Sequence, residues 1–130
     1  MGAGKRRIKI ISESAGEVIA KILEGRNPRT ADAIWSALPL EGTAERWGDE
    51  VYFEVPVELE EENAQEVVEE GDVAYWPPGR SICIFFGQTP ASKGDEIRAY
   101  SPVNVFAKIE GDPKIFRRVK DGEKIRMERV

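Results

Sequence analysis

Gly71-Asp72-Val73-Ala74-Tyr75-Trp76-Pro77-Pro78-Gly79-Arg80-Ser81-Ile82-Cys83-Ile84-Phe85-Phe86-Gly87-Gln88-Thr89-Pro90 sets two dense apolar runs on either side of Pro-Pro-Gly. Proline at the first central position of a turn fixes φ, and glycine at the second accepts positive φ. Pro78-Gly79 therefore predicts a type II turn joining two strands over residues 72–86. From Gly87 to Pro102 the pattern becomes irregular, and a segment of about fifteen residues in a compact domain is more often functional than idle.

Upstream, residues 44–47 and 50–55 flank Gly48-Asp49, a glycine-first pair suited to a type II′ hairpin turn, and Val51, Phe53 and Val55 share one face. Glu58, Glu60, Glu61, Glu62, Glu66, Glu69 and Glu70 lack the fixed spacers of a calcium loop and read as a solvated surface. Thr30 stands before Ala31, Ile34, Trp35 and Leu38, spaced i, i+3, i+4, i+7, with Asp32 in the first turn and Pro39 beyond. That spacing predicts a short amphipathic helix capped by Thr30, with Trp35 in the core. Residues 7–11 alternate basic and apolar, Ser12 to Gly16 turn, and Val18, Ala20 and Ile22 resume the period of two, which makes a first hairpin.

Downstream, residues 103–109 form a strand. Asp112-Pro113 before Phe116 and Val119 reads as one or two helical turns, with a strand continuation as the alternative because Asp121-Gly122 also marks a hairpin turn. Ile125 and Met127 alternate with Lys124, Arg126 and Glu128 in a final strand. About eight short strands, two short helices and frequent glycine turns fit a closed antiparallel barrel or a sandwich.

The chain of 130 residues is read as a single domain over 1–130, with residues 1–6 as a flexible terminus. Gly2-Ala3-Gly4-Lys5 lacks the spacing and following hydroxyl residue of a phosphate loop. Nineteen basic against 24 acidic side chains speak against nucleic acid as a partner. Ile8, Ile10 and Ile11 after the basic Lys5, Arg6 and Arg7 do not amount to a signal-peptide core, and no run is long enough for a membrane span. The absence of histidine removes the commonest general base and the commonest metal ligand. The one cysteine, Cys83, lies in an apolar run and reads as an inert buried thiol of a cytoplasmic protein. High charge with two glutamines and three asparagines suits a thermophile.

The opening stretch, with Trp47-Gly48-Asp49-Glu50-Val51-Tyr52-Phe53 before it and Tyr100-Ser101-Pro102-Val103-Asn104-Val105 after it, resembles a family of small prokaryotic cyclophilin-like proteins of unsettled function. The resemblance covers most of the chain and implies an all-β fold with two short helices, a closed antiparallel cyclophilin-like barrel. True cyclophilins rotate X-Pro bonds, using an arginine near the prolyl nitrogen and an apolar pocket for the ring. The resemblance would make Arg80 and Arg98 the candidate donors. Their catalytic segment, phenylalanine followed by methionine, glutamine and paired glycines, has no match here, since Phe85-Phe86-Gly87-Gln88 is a superficial echo. The barrel is carried over without catalytic residues and without a cofactor.

The candidate ligand-binding residues are Trp47, Tyr52, Trp76, Arg80, Phe86, Gln88, Arg98 and Asn104. Each has a plainer reading. The four aromatics could fill core instead of lining a pocket, Arg80 follows a tight turn where a solvated arginine is ordinary, and Asn104 could cap loop backbone. Phe53 and Phe85 read as core. The function expected is a non-catalytic binding domain that holds a small molecule or a short proline-containing peptide at a mouth formed by the Trp47–Tyr52 hairpin and the segment 87–104. The alternatives are a peptidyl-prolyl isomerase and a self-associating module, such as a homodimer, with an exposed aromatic patch as its interface.

Overall fold

The computed structural model describes residues 6–130. The expectations for residues 1–5 fall outside these. Arg6, expected in a flexible terminus, is tied down: its guanidinium pairs with Glu24 at 2.8 Å and Asp32 at 3.0 Å and stacks 5.4 Å from the Trp35 ring centre.

Ten strands form one antiparallel sheet: β1 (Arg7–Ser12), β2 (Gly16–Ile22), β3 (Leu40–Thr43), β4 (Glu45–Arg46), β5 (Glu50–Glu54), β6 (Gln65–Val68), β7 (Asp72–Trp76), β8 (Ser81–Phe85), β9 (Ile97–Ile109) and β10 (Lys124–Arg129). Their order is β3-β10-β1-β2-β9-β7-β8-β5-β4, with β6 on β9. The period of two in β1, β2, β5, β7 and β8 has the expected consequence. Ile8, Ile10, Ala20, Val51, Phe53, Val73, Tyr75, Ile82 and Ile84 are fully buried on one face, in a core completed by Ala31 and Ile34 of the helix α1 (Pro28–Ala37) and by Phe116. Alternate residues of β5, β7, β8 and β9 supply a second, smaller cluster on the other face, including Ala74, Cys83, Phe85, Ala99, Val103 and Val105.

The sheet is not closed into a barrel, contrary to expectation. Its end strands β3 and β4 are chain neighbours, but the corner residue Ala44 commits both backbone groups to the turn before β10. Its N–H donates to the Glu123 carbonyl at 2.8 Å and its carbonyl accepts from Gly122 at 2.8 Å. β3 then crosses β5 by packing alone: a Cβ on Gly42 would stand 2.9 Å from the Glu54 carbonyl oxygen, so the two backbones touch without a ladder.

Several local expectations are corrected. The helix begins at Pro28 after Asn27, and Thr30 lies inside it; no capping side chain on the helix's own N-terminus is used. Glu62, from the acidic segment, reaches across to accept from the Arg29 and Thr30 N–H groups at 3.1 and 2.8 Å. An anion from elsewhere thus satisfies the orphan donors that Thr30 was expected to meet. Trp35 is half-buried, with the guanidinium groups of Arg6 and Arg129 5.4 and 5.2 Å from its ring centre. Pro77–Gly79 forms a 3-10 turn, and the left-handed conformation falls on Arg80 (φ 47) instead of Gly79. β9 starts at Ile97, so only residues 87–96 are irregular and Tyr100-Ser101-Pro102 is strand. β3 and β6 were not expected; in β6 only Val68 is buried, which leaves no alternation to read. Residues 113–118 take the helical alternative, as a 3-10 helix whose N-cap Asp112 accepts from the Lys114 N–H. At the β4–β5 hairpin, Gly48 has φ 62 and Asp49 no positive φ, which is the II′ pattern.

The acidic segment is anchored at one buried polar node. Asn104, fully buried on β9, accepts from the Glu62 N–H at 2.9 Å and donates to the Glu60 carbonyl at 2.9 Å and to Thr30 Oγ1 at 3.1 Å. Replacing Asn104→Ala strands two backbone groups at once, and urea denaturation is expected to show a loss of about 3 kcal/mol. A loss under about 1 kcal/mol would mean the segment is held some other way.

Candidate functional site

Residue parity on β5 sorts side chains between two environments. Val51 and Phe53 enter the main core, whereas Glu50 and Tyr52 face the second cluster. Antiparallel pairing sets Tyr52 opposite Cys83 and Glu50 opposite Phe85, and Cys83 in turn opposite Ala74 of β7. The diagonal neighbour of Glu50 on that face is Cys83. Trp47 from the hairpin, Trp76 from the end of β7, and Ala99, Tyr100 and Val103 from β9 close a cavity of about 140 Å³ over this pair.

The walls are fixed by specific contacts. Tyr100 makes edge-to-face contacts with both tryptophans, its ring centre 5.9 Å from each at interplanar angles of 74° and 84°. The Trp76 Nε1–H donates to Ser101 Oγ at 2.6 Å. Gly79 is needed for that placement: the Trp76 ring lies on it, and a Cβ there would stand 2.3 Å from Trp76 Cζ3. The glycine thus serves a close approach, where a φ requirement was expected. Residues 86–88 brace the hairpin that carries Trp47, through Asp49 N–H to the Gln88 carbonyl and Phe86 N–H to the Asp49 carbonyl, both 2.9 Å.

Glu50 is 5% exposed, and burial pushes its carboxyl up to about 7; the neighbouring Cys83 thiol only partly offsets this. Burial, followed by the neighbouring Glu50, holds the Cys83 thiol well above its ordinary value, so it remains a thiol. The Tyr52 phenol is raised chiefly by burial, then by Glu45 and Glu50. Among the described residues, no lysine or arginine lines the cavity, and no group of three or more metal-ligating side chains occurs anywhere.

Of the eight candidates, the structure brings Trp47, Tyr52 and Trp76 to this cavity. Arg80 pairs with Glu54 at 3.5 Å and Glu58 at 3.8 Å beside a larger groove, of about 710 Å³, that shares Tyr52 and Trp76 as walls. Phe86 is fully buried on the opposite face, with its ring centre 6.3 Å from that of Phe116 and 5.2 Å from the Arg46 guanidinium. Gln88 donates to the Gly94 carbonyl within its own loop. Arg98 pairs with Glu66 and Glu96, each at 3.1 Å. Asn104 is the structural node described above. Glu50 and Tyr100 were not singled out. The signal for Glu50 was its phase, shared with Tyr52 and not with Val51; for Tyr100, its place in an apparent loop concealed it.

The sequence profile of the cyclophilin-like family matches residues 6–128, and the chain belongs to that family. It is 45% identical to the hypothetical protein AF2241 from Archaeoglobus fulgidus, whose solution structure superposes with a TM-score of 0.82 over 98% of this chain and 96% of that one. A likeness of fold alone extends to McbB, solved in complex with tryptophan, at 17% identity and a TM-score of 0.69, over 93% of this chain and 44% of that one. No functionally curated protein matches. Among the described residues, no helix is long and apolar enough to cross a membrane.

A carboxyl at about 7 in the folded protein and 4.5 in the unfolded chain binds more protons when folded. Stability therefore falls as pH rises between these values, by about 3 kcal/mol in total. The Glu50→Gln variant lacks this term. Denaturation across pH 4.5–8 should find wild type losing about that much relative to the variant as pH rises. Parallel profiles would contradict the burial of Glu50.

Proposed function

We propose that this member of the cyclophilin-like family is a binding protein that holds a small molecule, or one side chain of a short peptide, in the cavity between Trp47, Trp76 and Tyr100. The observation that carries the reading is the composition of that cavity: aromatic and aliphatic walls around one buried polar group, the usual make-up of a small-ligand pocket. Its volume, about 140 Å³, resembles that of cavities of about 150 Å³ that accept a single benzene-sized guest. The neighbouring groove, with Glu45, Glu54 and Arg80, leaves room for the remainder of a larger ligand.

Binding is favoured over prolyl isomerisation by where the arginines lie. Arg80 and Arg98 are both engaged with carboxylates, and neither lines the cavity. The self-association reading has less to rest on: the exposed large apolar side chains among the described residues are three, Val67, Tyr100 and Val130.

Titration with two neutral guests, cyclohexanol and N-acetylprolinamide, followed by the indole N–H resonances of Trp47 and Trp76, tests the proposal. Both indoles are expected to shift in wild type, and the Ala99→Phe variant, which fills the cavity, should abolish the effect. Shifts confined to the Arg80 groove, or unchanged by Ala99→Phe, would refute the cavity as the site. Accelerated isomerisation of a proline tetrapeptide would restore the catalytic alternative.

A further inference from the structure

Three features of the cavity are not explained by a general affinity for apolar rings. A carboxyl, nineteen-twentieths buried, faces the cavity with a neutral thiol as its neighbour. Two tryptophans and a tyrosine stand around it, and tryptophan is the strongest aromatic partner for a cation. Among the described residues, no cation of the protein itself lines the cavity to supply the missing charge. Arg46 lies over Phe86 on the other face and donates to the carbonyls of Gly48, Arg117 and Val119, while Arg80 and Arg98 are held by Glu54, Glu58, Glu66 and Glu96.

We propose that the cavity is a receptor for a compact organic ammonium group, with the positive charge meeting the Glu50 carboxylate and the carbon surface of the group filling the space between Trp47, Trp76 and Tyr100. The inference deepens the binding reading above and rests on it. A methylated ammonium suits both demands: it presents apolar surface to the rings and is weakly enough hydrated to leave water. The approach is electrostatically consistent, since Glu45 and Glu54 stand on the adjoining groove and the chain carries a formal net charge of -5.

The groups that face Glu50 also give the site a pH dependence. Cys83 faces it from β8, Tyr52 from β5 itself, Tyr100 from β9 and Glu45 from β4, where it pairs opposite Tyr52; on β7 the same face carries the neutral Trp76 and, farther along, Asp72, which is paired with Lys108 at 3.0 Å, and the hairpin tip adds the neutral Trp47. Cys83 and Tyr52 are both held above their ordinary values, so Glu50 is the group that ionises near neutrality. An ammonium ligand binds the ionised form, and its apparent affinity rises with pH until Glu50 is fully deprotonated.

The test compares choline, whose charge never titrates, with its neutral isostere 3,3-dimethylbutan-1-ol, read at the Trp47 and Trp76 indole resonances from pH 5.5 to 8.5. Choline is expected to bind more tightly than the isostere at pH 8 and to weaken about tenfold per pH unit below the Glu50 midpoint. Glu50→Gln should weaken choline at least about tenfold, remove its pH dependence, and weaken choline more than the isostere. If the isostere binds as tightly as choline, or if choline shows no pH dependence in wild type, the ammonium assignment fails while the pocket reading stands. If neither compound moves the two indoles, and the neutral rings do not either, both readings fall. The wild-type pH series decides the matter even where the Glu50→Gln variant is poorly folded.

Discussion

The register between β5 and β8 is the constraint on which the site depends. With Tyr52 opposite Cys83, Val51 and Phe53 must enter the main core, and Glu50 must face the second cluster beneath the aromatic rings. A slip of one residue would exchange the two sets, placing a carboxylate in the main core and two large apolar side chains in the cavity. The eight-residue strip from Trp47 to Glu54 therefore does two jobs through alternation alone. Its core-facing half holds the fold, and the burial that this provides lets the other half keep an ionisable group away from water.

The long strand β9 completes the arrangement. It pairs with β6 between Ile97 and Val103 and with β7 and β2 between Asn104 and Ile109, and a register shift interrupts each of the β6 and β7 ladders. The first length carries Ala99, Tyr100 and Val103 over the Glu50–Cys83 pair; the second places Asn104 in the node that anchors the acidic segment. Cavity roof and loop anchor are thus consecutive lengths of one strand. The family relationship fits this division, since a common sheet can carry different cavities according to the few side chains that line them.

Much of this was readable from local pattern, because a period of two and paired turn residues are local physics. The β1–β2 hairpin, the II′ turn at Gly48, the faces of Val51 and Phe53, and the 3-10 helix after Asp112 belong to that class. What escaped were arrangements set by residues distant in the chain. Glu62 meets the helix N–H groups in place of Thr30, the guanidinium groups of Arg6 and Arg129 hold Trp35 near the surface, and Ala44 bonds to the β10 turn and so leaves the sheet open. At the site, Trp47, Tyr52 and Trp76 were visible as aromatics out of phase with the core or beside turns. Glu50 was hidden because its burial is completed by Ala99, Tyr100 and Val103, which follow some fifty residues later.

Beneath the aromatic walls stands a buried carboxyl that, among the described residues, has no lysine or arginine beside it in the cavity. The most direct measurement is the ionisation of Glu50 itself, followed by the 13C shift of its side-chain carboxyl in the ligand-free protein. Withdrawal from water predicts a midpoint of about 7. A midpoint near 4.5, the ordinary value for a glutamate, would mean that water reaches the carboxyl freely and that Glu50 is not withdrawn beneath the aromatic walls.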